Sequence, residues 1–329
     1  MTYLFTFANT HYSIISEKIL LEAGIKATVM PLPGAIQSGC GICLRVQEEE
    51  LLPSSRLLQK EQVEYRVYQI IEQEGKKGFR LYLDGKLVNA VSVQEHDIIS
   101  IVGCGGKTSC MYQLARELKK EKVLVTTTTN IMIPDKEEGT VDFILDGSTC
   151  TSLTKENITR GRYLVYGSLT PANKCKSLME EEILKLSELF TVTLIEADGS
   201  KGLPIKGYRD YEPCTPSFAT LTIGVLPLWS IGASISEATV HRVDEYCKMT
   251  GSKRNDKITL EQMGRWLAHP DGMFKGSNGR KVLFLNQVED EEMRKKAKKL
   301  MDCIPKALWN DLERVIMGSI HEGVYHQLK

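Results

Sequence analysis

The chain has 329 residues, 42 Lys+Arg against 42 Asp+Glu, and 42% hydrophobic residues. Zero formal net charge argues against nucleic acid or an anionic membrane as a partner, because such binders draw their affinity from a basic surface. No apolar run reaches the ~18 residues of a membrane span, MTYLFTFANTHYS lacks the layout of a secretory signal, and nine scattered cysteines suit reduced thiols in the cytoplasm better than a disulfide framework.

Residues 1–78 read as a small α/β domain. Tyr3–Phe7 reads as a strand. Ser13–Ala23 reads as a helix with Ile15, Ile19 and Ala23 on one face and Gly24 as its stop signal. Lys26–Leu32 is a second strand, and PGAIQSGCGICLRV (33–46) is a glycine-rich loop opening a third at Ile42. Gln62–Gln73 fits a helix with Val63, Val67, Ile70 and Ile71 inward. The polar stretch Glu74–Gly78 marks a linker. Phe79–Val93, with Asp84-Gly85 in its middle, suggests a hairpin.

Cys40 and Cys43 form a single C-x-x-C. A structural zinc site needs two more ligands at suitable spacing, and none lies nearby. The pair also does not open a helix after a strand, as a thioredoxin-like motif does. Between Gly39 and Gly41, Cys40 reads either as a small apolar residue in a turn or as an uncrowded, nucleophilic thiol. Cys43 begins the strand, where alternation turns it inward.

Residues 79–329 read as a second α/β domain with a mainly parallel sheet. Its strand candidates are Ile98–Val102, Lys122–Thr126, Phe143–Leu145, Tyr163–Tyr166, Thr191–Glu196, Leu221–Val225, Val282–Leu285 and Val315–Met317. Glu291–Leu300 reads as a charged, solvated helix.

The segment IISIVGCGGKTS (98–109) runs from a β-branched strand into a glycine turn, a lysine and two hydroxyl residues. A helix follows, with Met111, Leu114, Ala115 and Leu118 at helical spacing. That order is the context of a phosphate-binding loop. Glycines admit backbone N–H groups to phosphate oxygens, and a helix N-terminus adds partial positive charge. Gly103, Gly105, Gly106, Lys107, Thr108 and Ser109 are the candidate phosphate ligands, with Lys107 reaching the β and γ phosphates and Thr108 on Mg²⁺. The loop is short, G-x-G-G-K-T-S, and resembles that of the ATP-binding Mur ligases.

FTVTLIEADGSKG (190–202) ends a second apolar strand in Glu196 and Asp198. A carboxylate at such a strand end is the usual second Mg²⁺ anchor. Asp198 is the expected metal partner of Thr108, and Glu196 the residue that orients a nucleophile; the roles can also be reversed. KVLVTTTTN (122–130) brings Thr127 and Thr129 to the C-terminal end of another strand, where an open α/β sheet meets its ligand. LFLNQVED (283–290) stands where a base-reading Asn-Lys-x-Asp motif stands, with Gln287 and Glu289 in place of Lys and Asp. Asn286 is a candidate base contact without guanine selectivity. His241-Arg242 reads as an anion-binding or acid–base pair, or as a plain helix-surface pair. Lys107, Lys206 and Arg242 are the candidates to stabilise transferred phosphate charge.

Together, G-x-G-G-K-T, T-T-T-T, E-A-D-G, P-x-K, E-P and V-H-R resemble the selenium-dependent hydroxylase accessory (YqeC-like) family over residues ~90–329. The resemblance implies a cytoplasmic nucleotide-binding protein, with ATP or GTP and Mg²⁺, that helps mature molybdenum hydroxylases carrying labile selenium. YLFTF, EKILLEAGI and SGCGICLR resemble a selenium/sulfur carrier-like domain, which implies Cys40 as the chalcogen carrier and a sulfur or selenium donor as a partner. The implied function is a nucleotide-dependent accessory protein with a cysteine carrier domain and NTPase turnover. Two rivals are a nucleotide-dependent chaperone that does not hydrolyse and a Mur-ligase-like ATP-dependent enzyme.

Overall fold

The computed structural model describes residues 1–36, 40–73, 76–134 and 139–329. The chain divides into two compact units, Met1–Ala90 with Gly318–Leu328, and Val91–Met317 with Lys329. In chain order the first unit runs β1 (Thr2–Phe7), α1 (Thr10–Glu22), β2 (Thr28–Pro31), β3 (Ile42–Gln47), α2 (Glu48–Lys60), β4 (Tyr65–Gln73), β5 (Lys76–Asp84) and α3 (Leu87–Ala90). The second opens with β6 (Ile98–Gly103), α4 (Lys107–Glu117), β7 (Lys122–Thr127), β8 (Asn130–Met132), β9 (Phe143–Asp146), β10 (Gly161–Tyr166), β11 (Lys174–Lys176), α5 (Glu180–Ser187) and β12 (Val192–Glu196). It continues with β13 (Ile205–Lys206), β14 (Leu221–Pro227), β15 (Val240–His241), α6 (Val243–Thr250), α7 (Leu260–Ala268), β16 (Arg280–Asn286), α8 (Glu291–Cys303), α9 (Lys306–Asp311) and β17 (Arg314–Ser319). The last strand, β18 (Val324–Gln327), returns to the first unit.

The first unit is an antiparallel sheet in the order β2-β3-β1-β4-β5-β18. Alternation along β1 separates its two faces. Tyr3, Phe5 and Phe7 pack with Leu20 of α1 and with Leu51 and Leu58 of α2. Leu4 points the other way, beside Ile36 and Cys43.

Two expectations are corrected in this unit. Gln62–Gln73 is not a helix: Tyr65–Gln73 pairs with both β1 and β5. Val63, Val67, Ile70 and Ile71 match a helical period, but Tyr65 and Val67 also alternate as strand residues buried in the same core. The helix lies upstream, where α2 carries three glutamates in its first turn and Lys60 in its last. Those charges favour the helix dipole and offset an interior Pro53. Asp84-Gly85 is likewise no hairpin turn. β4 pairs with β5 through Gln73 and Lys76, and the Asp84 carboxylate accepts from the Lys86 N–H at 2.9 Å at the strand's end. Lys76–Gly78 of the expected linker therefore belong to β5, and Glu74 and Gly75 lie outside the described residues. The division of the chain falls after Ala90 rather than after residue 78 because β5 completes the first sheet.

The second unit is a parallel sheet in the order β17-β16-β14-β6-β12-β7-β10-β9, and it contains every one of the strands expected there. Its central strands are buried along nearly their whole length and are largely apolar, as strands covered on both faces are. From β6 the chain crosses α4 to β7 on one side. From β12 it passes to β14 on the other side of β6. The carboxyl ends of strands flanking such a reversal form the ligand crevice of open α/β sheets. Gly103, Glu196, Thr127, Pro227 and Asn286 end β6, β12, β7, β14 and β16 respectively. No helix among the described residues is long and apolar enough to cross a membrane.

Candidate functional site

The glycine loop joins β6 to α4. Gly105 has φ +66°, and a Cβ there would lie 2.3 Å from Pro227 Cγ. Gly106, the N-cap of α4, has φ +124°, and a Cβ there would meet Asn286 Nδ2 at 2.4 Å. Both positions exclude side chains by conformation and by space. No side chain caps α4, so its first N–H groups remain available to an anion.

Lys107 is buried and donates from Nζ to the Gly103 carbonyl at 2.9 Å and to Ser200 Oγ at 3.1 Å. The Thr108 hydroxyl donates to Glu196 Oε2 at 2.6 Å. Burial pushes the Glu196 carboxyl up, and Asp198 adds to this; Lys107 and the Thr108 hydrogen bond pull it down. Asp198 faces elsewhere. It accepts from the Gly103 N–H at 3.1 Å and pairs with Lys206 Nζ at 2.5 Å.

Lys206 has no exposed surface. Its ammonium also donates to the Gly199 carbonyl at 2.8 Å, pairs with Glu212 at 3.2 Å, and sits 4.8 Å from the centre of the Tyr208 ring. Glu212 in turn pairs with Arg242. Two carboxylates between two cations neutralise one another, which is the condition for holding charge out of water. Burial and the positive charges of Lys206 and Lys201 hold the His241 imidazole below its ordinary range. Cys104, inside the loop and fully buried, is pushed up to about 12.

In the first unit, Cys40 Sγ lies 3.0 Å from Ser13 Oγ and 3.7 Å from Thr10 Oγ1. Both belong to the first turn and a half of α1, whose N-cap is Asn9. Burial raises the Cys40 thiol, but hydrogen bonding with Ser13, the Ile42 N–H and Thr10 outweighs it and brings the group below its ordinary value. Cys43 is opposite in character: it is fully buried, and burial together with the nearby Cys40 pushes it up to about 11. The expected inward turn of Cys43 is therefore present. Expected easy access to Cys40 is not, because Cys40 is only 2% exposed. Gly39, one of its two flanking glycines, lies outside the described residues.

Comparison with known sequences places both halves. The sequence model described as "YqeC protein" matches residues 99–244, and the one described as "Putative Se/S carrier protein-like" matches residues 2–69. A curated relative, "Uncharacterized protein YqeC" of Escherichia coli (strain K12), is 31% identical over 232 residues, covering 68% of this chain and 88% of the relative. The chain belongs to the YqeC family.

In this YqeC-family chain, Lys107, Thr108, Glu196 and Asp198 converge at one sheet end, but the hydroxyl–carboxylate pair is Thr108 with Glu196. Asp198 is committed to the Gly103 N–H and to Lys206. Ser109 is exposed on α4. Thr127 Oγ1 donates to the Glu196 carbonyl at 2.8 Å and lies 3.1 Å from Thr129 Oγ1, so these hydroxyls brace the strand ends. Lys206 and Arg242 are held in the ion-pair chain rather than pointed into the crevice as free cations. The Asn286 amide donates to the Gly105 carbonyl at 3.0 Å and fixes the loop. Cys40 belongs to the other unit.

Sequence reasoning missed Ser200, Glu212 and Ser13. Ser200 had a signal, two residues beyond Asp198 in the same motif. Ser13 had none, because its partner is 27 residues away.

The residues fit a magnesium–triphosphate group. Mg²⁺ commonly takes one or two protein oxygens and completes its shell with phosphate and water. Thr108 and Glu196, 2.6 Å apart, would supply that pair, with the uncapped helix and Lys107 alongside. Among the described residues no group of three or more His, Cys, Asp or Glu side chains is arranged to hold a metal.

Proposed function

We propose that this protein is a nucleotide-dependent accessory factor for maturation of a selenium-dependent molybdenum hydroxylase, with Cys40 as a carrier of sulfur or selenium. The observation that carries the nucleotide part is the Thr108–Glu196 hydrogen bond beside Lys107 on a glycine loop. The carrier part is supported by the thiol of Cys40 against the first turn of α1 and by the match of residues 2–69.

In this reading ATP or GTP lies along the N-terminus of α4. The α4 N–H groups and Lys107 would bind phosphate oxygens, and Thr108 and Glu196 would hold Mg²⁺. When bound, Mg²⁺ neutralises charge on the β and γ phosphates. Asp198 holds the Gly103 peptide through its N–H, while Lys107 bonds the carbonyl of the same residue. Asp198 is thus a positioning residue for the loop, and Glu196 takes the metal role first expected of Asp198.

Cys40 would load by exchange. Its thiolate attacks the outer chalcogen of a donor persulfide, R–S–SH or R–S–SeH. A Cys40 S–S or S–Se bond forms, the donor's bond to that chalcogen breaks, and R–S⁻ leaves. Hydrogen bonding with Ser13, the Ile42 N–H and Thr10 favours the thiolate form of the attacking sulfur.

Two measurements test the reading. Calorimetry with Mg·ATP and Mg·GTP should give binding to the wild type that Lys107→Ala loses. Mass spectrometry after incubation with a persulfide donor should place the added atom on Cys40 and find none in Cys40→Ser. Absence of binding refutes the nucleotide half, and absence of loading refutes the carrier half. Phosphate release with and without the hydroxylase separates turnover from a binding-only chaperone.

A further inference from the structure

Just past the C-terminal ends of β14 and β16 stands an aromatic side chain with no assigned role. Trp229 is 52% exposed, whereas Trp266 is fully buried. A large indole left half in water forgoes burial that tryptophan ordinarily obtains. Its position is not incidental. Trp229 stands two residues after Pro227, whose ring abuts Gly105 of the loop so closely that a Cβ on Gly105 would lie 2.3 Å from it.

The indole is also held in place. Its Nε1 donates to Gln287 Oε1 at 2.9 Å. Gln287 directly follows Asn286, whose amide donates to the Gly105 carbonyl at 3.0 Å. The last residues of β14 and β16, Pro227 and Asn286, therefore both meet Gly105, and the segments that follow them join each other through Trp229 and Gln287. Gln287 has φ +61°, a left-handed conformation that a residue with a long side chain adopts rarely. Such outliers cluster at ligand sites. Here the outlier is the residue that fixes the exposed ring.

We propose that Trp229, oriented by Gln287, is the platform on which the heteroaromatic base of the bound nucleotide stacks. The proposal rests on the nucleotide reading above and extends it from the phosphates to the base. An aromatic face takes any base by stacking, and a ring already oriented loses little freedom when the ligand arrives. The hydrogen bond uses the indole N–H and one lone pair of the Gln287 side-chain oxygen, leaving the Gln287 amide N–H groups as donors toward acceptor atoms on a base edge. The same arrangement gives Asn286 a different task from the base contact its sequence position suggests: it holds the loop, and the next residue and its tryptophan partner address the base.

Calorimetry on the full chain should compare Mg·ATP, Mg·GTP and magnesium tripolyphosphate, which has the phosphates and no base. Trp229→Ala is expected to weaken both nucleotides by about five- to a hundredfold and to leave tripolyphosphate unchanged. Trp229→Phe should retain most of the affinity. Wild-type tryptophan fluorescence should change on adding nucleotide but not tripolyphosphate, and Trp229→Phe, which keeps Trp266 and Trp309, should lose that response. Unchanged nucleotide affinity in Trp229→Ala would overturn the platform while the phosphate site stands. Equal loss of nucleotide and tripolyphosphate would also overturn it, because Trp229 would then act only through the loop. If the wild type bound neither ligand, the nucleotide reading itself would fall.

Discussion

Lys107 and Cys40 both stand at the start of a helix, but they arrive there by different routes. Lys107 is the first residue of α4, delivered by the contiguous loop that ends β6. Cys40 reaches α1 from 27 residues beyond Ser13 and 30 beyond Thr10. The surroundings differ as well. Around Lys107 the fold buries charges that answer one another, with Glu196, Asp198, Lys206 and Glu212 in close succession. Around Cys40 the named partners are two hydroxyls and a peptide N–H, all neutral. A charge network is costly to break and therefore rigid. A set of neutral donors biases one ionisation by a small amount each, which suits a sulfur that must both hold and release an atom.

The contrast is sharpest at Lys206. With no exposed surface and two carboxylate partners, its replacement in Lys206→Met strips the buried Asp198 of its ion-pair partner and leaves Glu212 with Arg242 alone. Removing one member of a buried pair costs about 3–5 kcal/mol. Chemical denaturation should show a loss of that size in the second unit. A loss below about 1 kcal/mol would mean that the network behaves like a surface pair.

Lys107→Ala comes next in size. Charge-assisted hydrogen bonds contribute about 1.5–3 kcal/mol, so triphosphate affinity should fall by at least about tenfold. Its own bonds go to Gly103 and Ser200 rather than to a buried counterion, so stability should change far less than in Lys206→Met.

The carboxylates can be separated by their metal dependence. Glu196→Gln should remove most of the affinity that Mg²⁺ adds to nucleotide binding and leave metal-free binding in place. Asp198→Asn should instead weaken both, through the Gly103 N–H and Lys206. The Mg²⁺ increment should also fade on acidification at a pH above that of an ordinary glutamate. Burial raises the Glu196 carboxyl, so it protonates earlier as pH falls and the metal loses its anionic ligand. Calorimetry over a pH series checks this; fading only at the ordinary glutamate value would show that Glu196 is solvated when it functions.

The same contrast explains what could be read from the chain. The central strands of the parallel sheet are legible because both faces are buried and each reads as a short, largely apolar run between turns. The loop is legible because its glycines, lysine and threonine are contiguous. The antiparallel unit resists reading at Val63–Ile71, where helical and strand periods coincide until β1 and β5 select the strand. α2 is hidden by Pro53 and by a low apolar content. At the site, the carboxylates at 196 and 198 are visible, but which one meets Thr108 is decided by where β12 stops beside α4. Trp229 is anonymous in sequence because its significance lies in Pro227 touching Gly105.

The finest test concerns the neutral donors around Cys40. Ser13→Ala removes one hydroxyl from the sulfur without altering charge. A single hydrogen bond of this kind contributes about 0.5–1.5 kcal/mol. Because that bond stabilises the thiolate, its loss moves the Cys40 thiol up toward the ordinary cysteine value. At a pH where the thiol is incompletely ionised, iodoacetamide labelling of Cys40 should slow by about two- to tenfold. At a pH above both values the thiol is fully ionised in either protein, and the two rates should converge. Cys43 reports on the rest of the fold: with its thiol pushed up to about 11 and no exposed surface, it should stay slow in both. If Ser13→Ala slowed Cys40 equally at every pH, the hydroxyl would govern access to a sulfur that is only 2% exposed rather than its ionisation. The helix start would then act as a gate for the donor and not as the source of the thiolate.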